Sequence, residues 1–267
     1  MITKDMAKVS LECLSLVKGT AHTLIAGTTG SGKSVLLNTI LYSMIKKSLV
    51  GDDFGLLFLI DTKRVELKQY KDYIFTKGYV TEPEDVPAAL DGIIEMMDGR
   101  YYNMPGKETT DPHVYIVIDE LADVLTTRGV LDRIIKIGRL GRAAHIHLLC
   151  CTQDPSRYTL SAQLVQNFTT RVALHCADSI ESKQIINVAG AEDLPDHGKA
   201  IVRDKKGRRM IDIPLTPDED IDELMESVKQ LCEDYFVSGI ESPTRWIDQD
   251  LAAFIEGRPF AEINAVY

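Results

Sequence analysis

Gly27-Thr28-Thr29-Gly30-Ser31-Gly32-Lys33-Ser34 is the stretch on which the fold turns. It fits the phosphate-loop pattern GxxxxGK[ST], and its surroundings fit as well. The apolar run HTLIA (22–26) precedes it, and the amphipathic pattern VLLNTILYSMI (35–45) follows. That is the strand–loop–helix order the motif requires. Glycine lets such a loop curl until successive backbone N–H groups face phosphate oxygens. The reading assigns residues 27–34 to nucleotide binding, with Lys33 reaching the β- and γ-phosphates and the Ser34 hydroxyl ligating Mg²⁺.

About ninety residues on, Tyr115-Ile116-Val117-Ile118-Asp119-Glu120 reads as the complementary strand. Asp119 is placed to hold Mg²⁺ through water, and Glu120 to polarise an attacking water as general base. A nucleotide-binding switch needs only the aspartate, so the adjacent glutamate argues for hydrolysis. A strand ending in Asp-Glu is common by itself. The phosphate loop upstream is what gives this one a role. Two further strand ends point the same way. HLLCC (147–151) runs into Thr152-Gln153, where the amide can sense a γ-phosphate. Arg171 opens the run RVAL (171–174), where a cation can complete a neighbouring subunit's site.

Short apolar runs at residues 23–26, 56–60, 114–118, 147–151 and 171–174 alternate with helical patterns at 34–47, 85–102, 131–143, 160–168 and 179–188. This predicts an α/β fold, a parallel sheet flanked by crossover helices. Pro83 and Pro87 bracket the second helix, with Thr81 or Glu84 near its cap. KAIVRDKKGRRMIDI (199–213) reads as a hairpin turning at Lys206-Gly207. Thr216-Pro217-Asp218-Glu219 opens a helix to about Tyr235, its first turn acidic as the helix dipole favours. The last thirty or so residues read as a tail.

The chain has 267 residues, 45% hydrophobic and 26% charged, with 30 Lys+Arg against 40 Asp+Glu. These values exclude disorder, collagen and a disulfide scaffold, and the length carries a full core. No run reaches the roughly 18 apolar residues of a membrane-spanning helix, which leads to the expectation of a cytoplasmic protein. The five Cys lack CxxC spacing and read as reduced apolar residues. His145-Ile146-His147 lacks a further Cys/His pair at metal spacing, so no metal but Mg²⁺ is expected. The net charge of −10 would argue against nucleic acid. However, residues 216–267 hold 13 acids and three bases, which leaves 27 charges of each sign in residues 1–215.

IAGTTGSGKS (25–34), IDTKRVEL (60–67), YIVIDELADVL (115–125), RLGRAAHIHLLCCTQDPS (139–156) and GAEDLPDHG (190–198) resemble, in order, the motor core of the FtsK/SpoIIIE DNA translocases. The similarity spans about residues 10–235. It implies a RecA-like ATPase core, which the charge boundary places over 1–215 with an acidic helix and tail over 216–267, and a hexameric ring that pumps double-stranded DNA using ATP and Mg²⁺. It implies Gln153 as a γ-phosphate sensor and Arg171 as a finger acting in trans. It also places Lys183 and the 203–209 hairpin near DNA. Where the family typically reads TQRPS, this chain has Asp154. The loop before the Asp119 strand is short (105–113). No segment of this sequence resembles the family's membrane-spanning N-terminal region or its winged-helix module, so neither membrane anchoring nor sequence-read direction is expected from these residues.

Two basic clusters are candidates for DNA. Between Arg128 and Arg171 lie seven bases and two acids. From Lys199 to Arg209 lie six bases, among them Arg203, Lys205, Lys206, Arg208 and Arg209, and one acid. A basic hairpin can project into a ring's channel and grip phosphates regardless of sequence. Two other functions compete: a conjugation or packaging coupling ATPase of a mobile element, and a non-translocating P-loop adaptor of a secretion machine. The adaptor would bind protein clients through the acidic C-terminal segment.

Overall fold

The computed structural model describes residues 12–48 and 55–238. Strand β1 (Thr23–Ala26) leads through the glycine-rich loop into α1 (Lys33–Ser48). Next come β2 (Gly55–Ile60), β3 (Thr76–Val80), α2 (Val86–Asn103), β4 (His113–Ile118), α3 (Leu121–Leu125) and α4 (Val130–Leu140). They are followed by β5 (Ile146–Thr152), α5 (Ala162–Val165), β6 (Thr170–Ala173), α6 (Ser179–Ile186), the hairpin β7 (Lys199–Asp204) and β8 (Gly207–Asp212), and α7 (Asp218–Ser238).

All eight strands form one sheet in the order β3-β2-β4-β5-β1-β6-β7-β8. The pairings from β3 to β6 are parallel, and β7 and β8 extend the sheet antiparallel. Helices cover both faces, so the parallel strands are continuous apolar runs with neighbours on either side. Strand residues alternate between two cores. Leu24, Leu56, Phe58, Ile116 and Leu148 pack with α2, α4 and α6. Ile25, Leu57, Leu59, Val117 and Leu149 pack with Leu36, Leu37, Ile40, Leu41 and Ile45 of α1. Ile221 and Val228 of α7 join that second core, and Thr39 Oγ1 donates to Pro214 O at 3.0 Å ahead of α7.

The doubly covered, mostly parallel sheet expected from sequence is observed, with local differences. β3 escaped the sequence reading because its burial is partial and Gly78 interrupts its pattern. A Cβ at Gly78 would lie 2.8 Å from the Phe58 ring, so the glycine is required by close strand packing. The helix expected at 160–168 is a single turn, Ala162–Val165, capped by Ser161, whose Oγ accepts from Leu164 N. Leu160 and Phe168 are buried beyond its ends, so their apolar character reports core contact rather than helix. At α2 neither Thr81 nor Glu84 caps; Asp85 occupies that position after a 3₁₀ turn at Pro83–Asp85, with no side-chain cap bond.

His113, His145 and His147 cluster at the sheet end opposite the glycine-rich loop. His147 Nδ1 lies 2.8 Å from Ala21 O, His147 Nε2 lies 2.7 Å from His113 Nδ1, and His113 stacks on His145. These contacts occupy the rings in packing, and no group of three or more His, Cys, Asp or Glu side chains among the described residues is arranged to hold a metal ion. Cys13, Cys150, Cys151 and Cys176 are buried free thiols. Among the described residues no helix is long and apolar enough to cross a membrane. The tail beyond 238, including Trp246, lies outside the described residues.

Candidate active site

Strand order builds the site. β5 lies between β1 and β4, so three strand ends meet side by side. Ala26 is in register with Thr152, and Ile118 with Cys150. The backbone then carries the glycine-rich loop, Asp119-Glu120 and Gln153 to one edge. β2 adds a fourth chain, since Asp119 N donates to Ile60 O at 3.2 Å and Asp61 follows.

The loop is closed tightly. Gly30 and Gly32 have φ of 78° and 94°, a region that suits glycine. Thr28 N donates to His175 O at 2.9 Å. A Cβ on Gly27 would lie 2.9 Å from both His175 O and Ser31 Oγ. Lys33 is 7% exposed, and its ammonium folds over the loop to donate to Gly27 O at 2.9 Å and Thr28 O at 2.6 Å. Burial lowers its pKa, while Glu120 and Asp119 oppose the shift. Ser31 Oγ is buried with no hydrogen-bond partner. Such an orphan inside a polar cradle fits a phosphate-bearing ligand. Ser34 stands one residue into α1.

Asp119 is buried at the end of β4, and its carboxyl is pushed up to about 7, first by burial and then by Asp61 and Glu66. A buried acid among acids favours either a proton or a cation, which suits a Mg²⁺ ligand. Glu120 is 4% exposed and caps α3. Its Oε1 accepts from Thr152 Oγ1 at 2.7 Å, Ala122 N at 3.2 Å and Gln153 N at 3.2 Å. Its Oε2 accepts from Gln153 N at 3.1 Å and Lys63 Nζ at 3.4 Å. Gln153 closes the arrangement, because its Oε1 accepts from Thr29 Oγ1 at 2.8 Å and so ties β5 to the glycine-rich loop.

Sequence alone assigns no role to Lys63 or Thr152. Both touch Glu120, and the signals were the segment IDTKRVEL and the Thr before Gln153. Asp154 accepts from Ser156 N at 3.0 Å and from Thr159 Oγ1 at 2.5 Å, which makes it the organiser of the 154–159 turn. Burial would raise its pKa, but these bonds hold the carboxyl below its usual range.

The remaining candidates lie away from these strand ends. Arg171 is opposite Leu24, and its Nη1 donates to Ile185 O at 3.1 Å and Asn187 Oδ1 at 3.2 Å, at the C-terminus of α6. Burial, and then the neighbouring Arg203, lower its pKa. Lys183 is exposed on α6, as are Lys205, Lys206 and Arg208 on the hairpin. Arg209 instead turns back to Asp204 Oδ2 at 2.6 Å, and Arg203 Nη1 is buried without a partner. Part of the 128–171 cluster is already paired: Arg133 grips Asp91 through two bonds of 2.7 and 2.6 Å, and Lys136 meets Asp98 at 3.1 Å.

Residues 2–111 match the FtsK/SpoIIIE family model. The chain is 33% identical over 236 residues to "DNA translocase FtsK" of Chlorobaculum tepidum, an alignment covering 78% of this chain and 29% of that protein. It is 32% identical over 235 residues to "DNA translocase SftA" of Bacillus subtilis, covering 80% and 24%. The chain therefore spans about a quarter of these relatives' length. In fold it is similar to the conjugation coupling protein TcpA, with a TM-score of 0.69 at 21% identity over 80% of this chain and 65% of that one. It is also similar to EssC ATPases 2 and 3 of Geobacillus thermodenitrificans, with a TM-score of 0.65 at 18% identity over 83% and 45%. With these relatives and the motifs assembled at one sheet edge, the chain belongs to the FtsK/SpoIIIE family.

Proposed function

We propose that the chain is an ATP-hydrolysing motor that moves double-stranded DNA through a ring of its own copies. The observation that carries the reading is Glu120, a buried carboxylate aligned by Thr152 and Gln153 beside the glycine-rich loop. In this reading residues 27–34 bind ATP, with backbone N–H groups and Lys33 taking the phosphates. Lys33 exchanges its bonds to Gly27 O and Thr28 O for phosphate oxygens, a short move for a flexible side chain. Ser34 and Asp119 would hold Mg²⁺, which supplies charge neutralisation at the phosphates. Glu120 takes a proton from the attacking water, and Gln153, through Thr29, registers whether the loop is filled.

Arg171 acts toward a neighbouring copy, which requires it to leave Asn187 and Ile185. DNA contact is assigned to the exposed Lys183, Lys205, Lys206 and Arg208, while Arg203 and Arg209, expected there from sequence, are partly buried. The exposed Lys205, Lys206 and Arg208 make phosphate contact, while Arg209 braces the turn through Asp204. The names of the relatives support DNA as the substrate. The acids of the first half of α7 face solvent while Ile221 and Val228 face the core, which suits an outer face for a protein partner. Electron microscopy of Glu120→Gln with ATP and duplex DNA tests the reading. Rings threaded by duplex are expected; monomers indifferent to DNA would refute it.

A further inference from the structure

The segment from Asp61 to Leu67 leaves β2 at the edge where the site is built, yet the mechanism above gives it no task. Its shape is fixed from within. Asp61 is fully buried, and its carboxylate accepts from Val65 N at 3.3 Å, Leu67 N at 3.0 Å and Tyr79 Oη at 3.3 Å. Arg64 adopts φ of 59°, a conformation that residues with a Cβ seldom take, and its guanidinium pairs with Glu82. The turn so held presents Lys63 to the site. Its ammonium lies 3.4 Å from Glu120 Oε2 and 4.0 Å from Asp123 Oδ2.

The other groups bonded to Glu120 are neutral: one hydroxyl and two backbone N–H groups. Lys33 is committed to the carbonyls of the glycine-rich loop. Lys63 is therefore the cation bonded to the carboxylate, and it arrives from β2 while Thr152 and Gln153 arrive from β5. The neutral donors from α3 and β5 fall mainly on Oε1, and Oε2 has only Gln153 N besides Lys63, so a charge-assisted bond from β2 adds the hold that Oε2 otherwise lacks.

We propose that Lys63 is a positioning residue for hydrolysis: from the Asp61–Leu67 turn it holds Glu120 Oε2, so that Glu120 meets the attacking water in one orientation. This rests on the reading of Glu120 as the base. Lys63 does not itself touch the reacting atoms, so its removal acts on turnover and leaves nucleotide binding intact.

The test compares Lys63→Met, Lys63→Arg, Glu120→Gln and the double variant Lys63→Met/Glu120→Gln in the full chain, measuring ATP affinity, KM and kcat. Lys63→Met is expected to lower kcat by about tenfold or more, the scale of a misplaced catalytic group, with ATP affinity unchanged. Lys63→Arg should recover most of that loss. The double variant should be no slower than Glu120→Gln, because a residue acting through Glu120 has nothing left to position. If Lys63→Met fails to bind ATP for want of folding, Lys63→Gln takes its place. Wild-type kcat in Lys63→Met, lost ATP affinity with kcat intact, or a loss that multiplies with that of Glu120→Gln would each overturn the proposal. Normal turnover by Glu120→Gln would instead remove the base, and the proposal with it.

Discussion

Glu120 and Asp119 are neighbours in sequence with different surroundings, which is why the proposed mechanism gives them different tasks. Glu120 accepts hydrogen bonds from four residues, so replacing it with Gln should preserve ATP binding while hydrolysis falls by about 100-fold or more in a phosphate-release assay. Asp119 has its carboxyl raised to about 7 by burial, Asp61 and Glu66. Below about pH 7 a proton therefore competes with Mg²⁺ for it, and above that value the carboxylate is free. The Mg²⁺ concentration for half-maximal hydrolysis should rise by up to about tenfold per pH unit below 7 and level off above it. A requirement that is flat between pH 6 and 8 would contradict this. Gly27→Ala places a methyl 2.9 Å from His175 O, so ATP affinity should drop with the sheet intact by circular dichroism. The phosphate loop and the Asp-Glu pair were legible because their chemistry needs adjacent residues in a fixed pattern. Lys63 and Thr152 were not, because their meeting with Glu120 depends on β2, β4 and β5 lying side by side.

Elements were legible where burial runs along the whole segment. β1, β2, β4 and β5 are almost entirely buried, and their sequences are unbroken apolar runs. β3 at the sheet's edge and the five-residue α3 have no such run to announce them. Alternation around Lys206-Gly207 announces the hairpin, and Gly207 has φ of 103° at the turn. Its basic residues look alike in sequence but differ in the fold, because β-strand alternation turns Arg209 toward Asp204 and leaves Arg208 in solvent. Replacing Lys205, Lys206, Arg208 and Arg209 with Ala should abolish stimulation of ATP hydrolysis by DNA while DNA-free hydrolysis persists. The triple variant that keeps Arg209 should behave alike, which separates phosphate contact from bracing of the turn. Undiminished stimulation in both would remove the hairpin from DNA binding.

Across the whole molecule, the net charge conceals a locally neutral body. The excess of −10 resides in residues 216–267, and 27 charges of each sign remain in 1–215. Phosphate contacts by a few exposed bases would make DNA stimulation weaken steeply as salt rises from 50 to 200 mM, despite the acidic total. In the proposed mechanism, hydrolysis at Glu120 drives movement along duplex DNA. Release of a third strand annealed to a duplex measures that movement directly. ATP-dependent release by the wild-type chain, and none by Glu120→Gln, is expected. Vigorous ATP hydrolysis on the same DNA with the third strand left in place would contradict it.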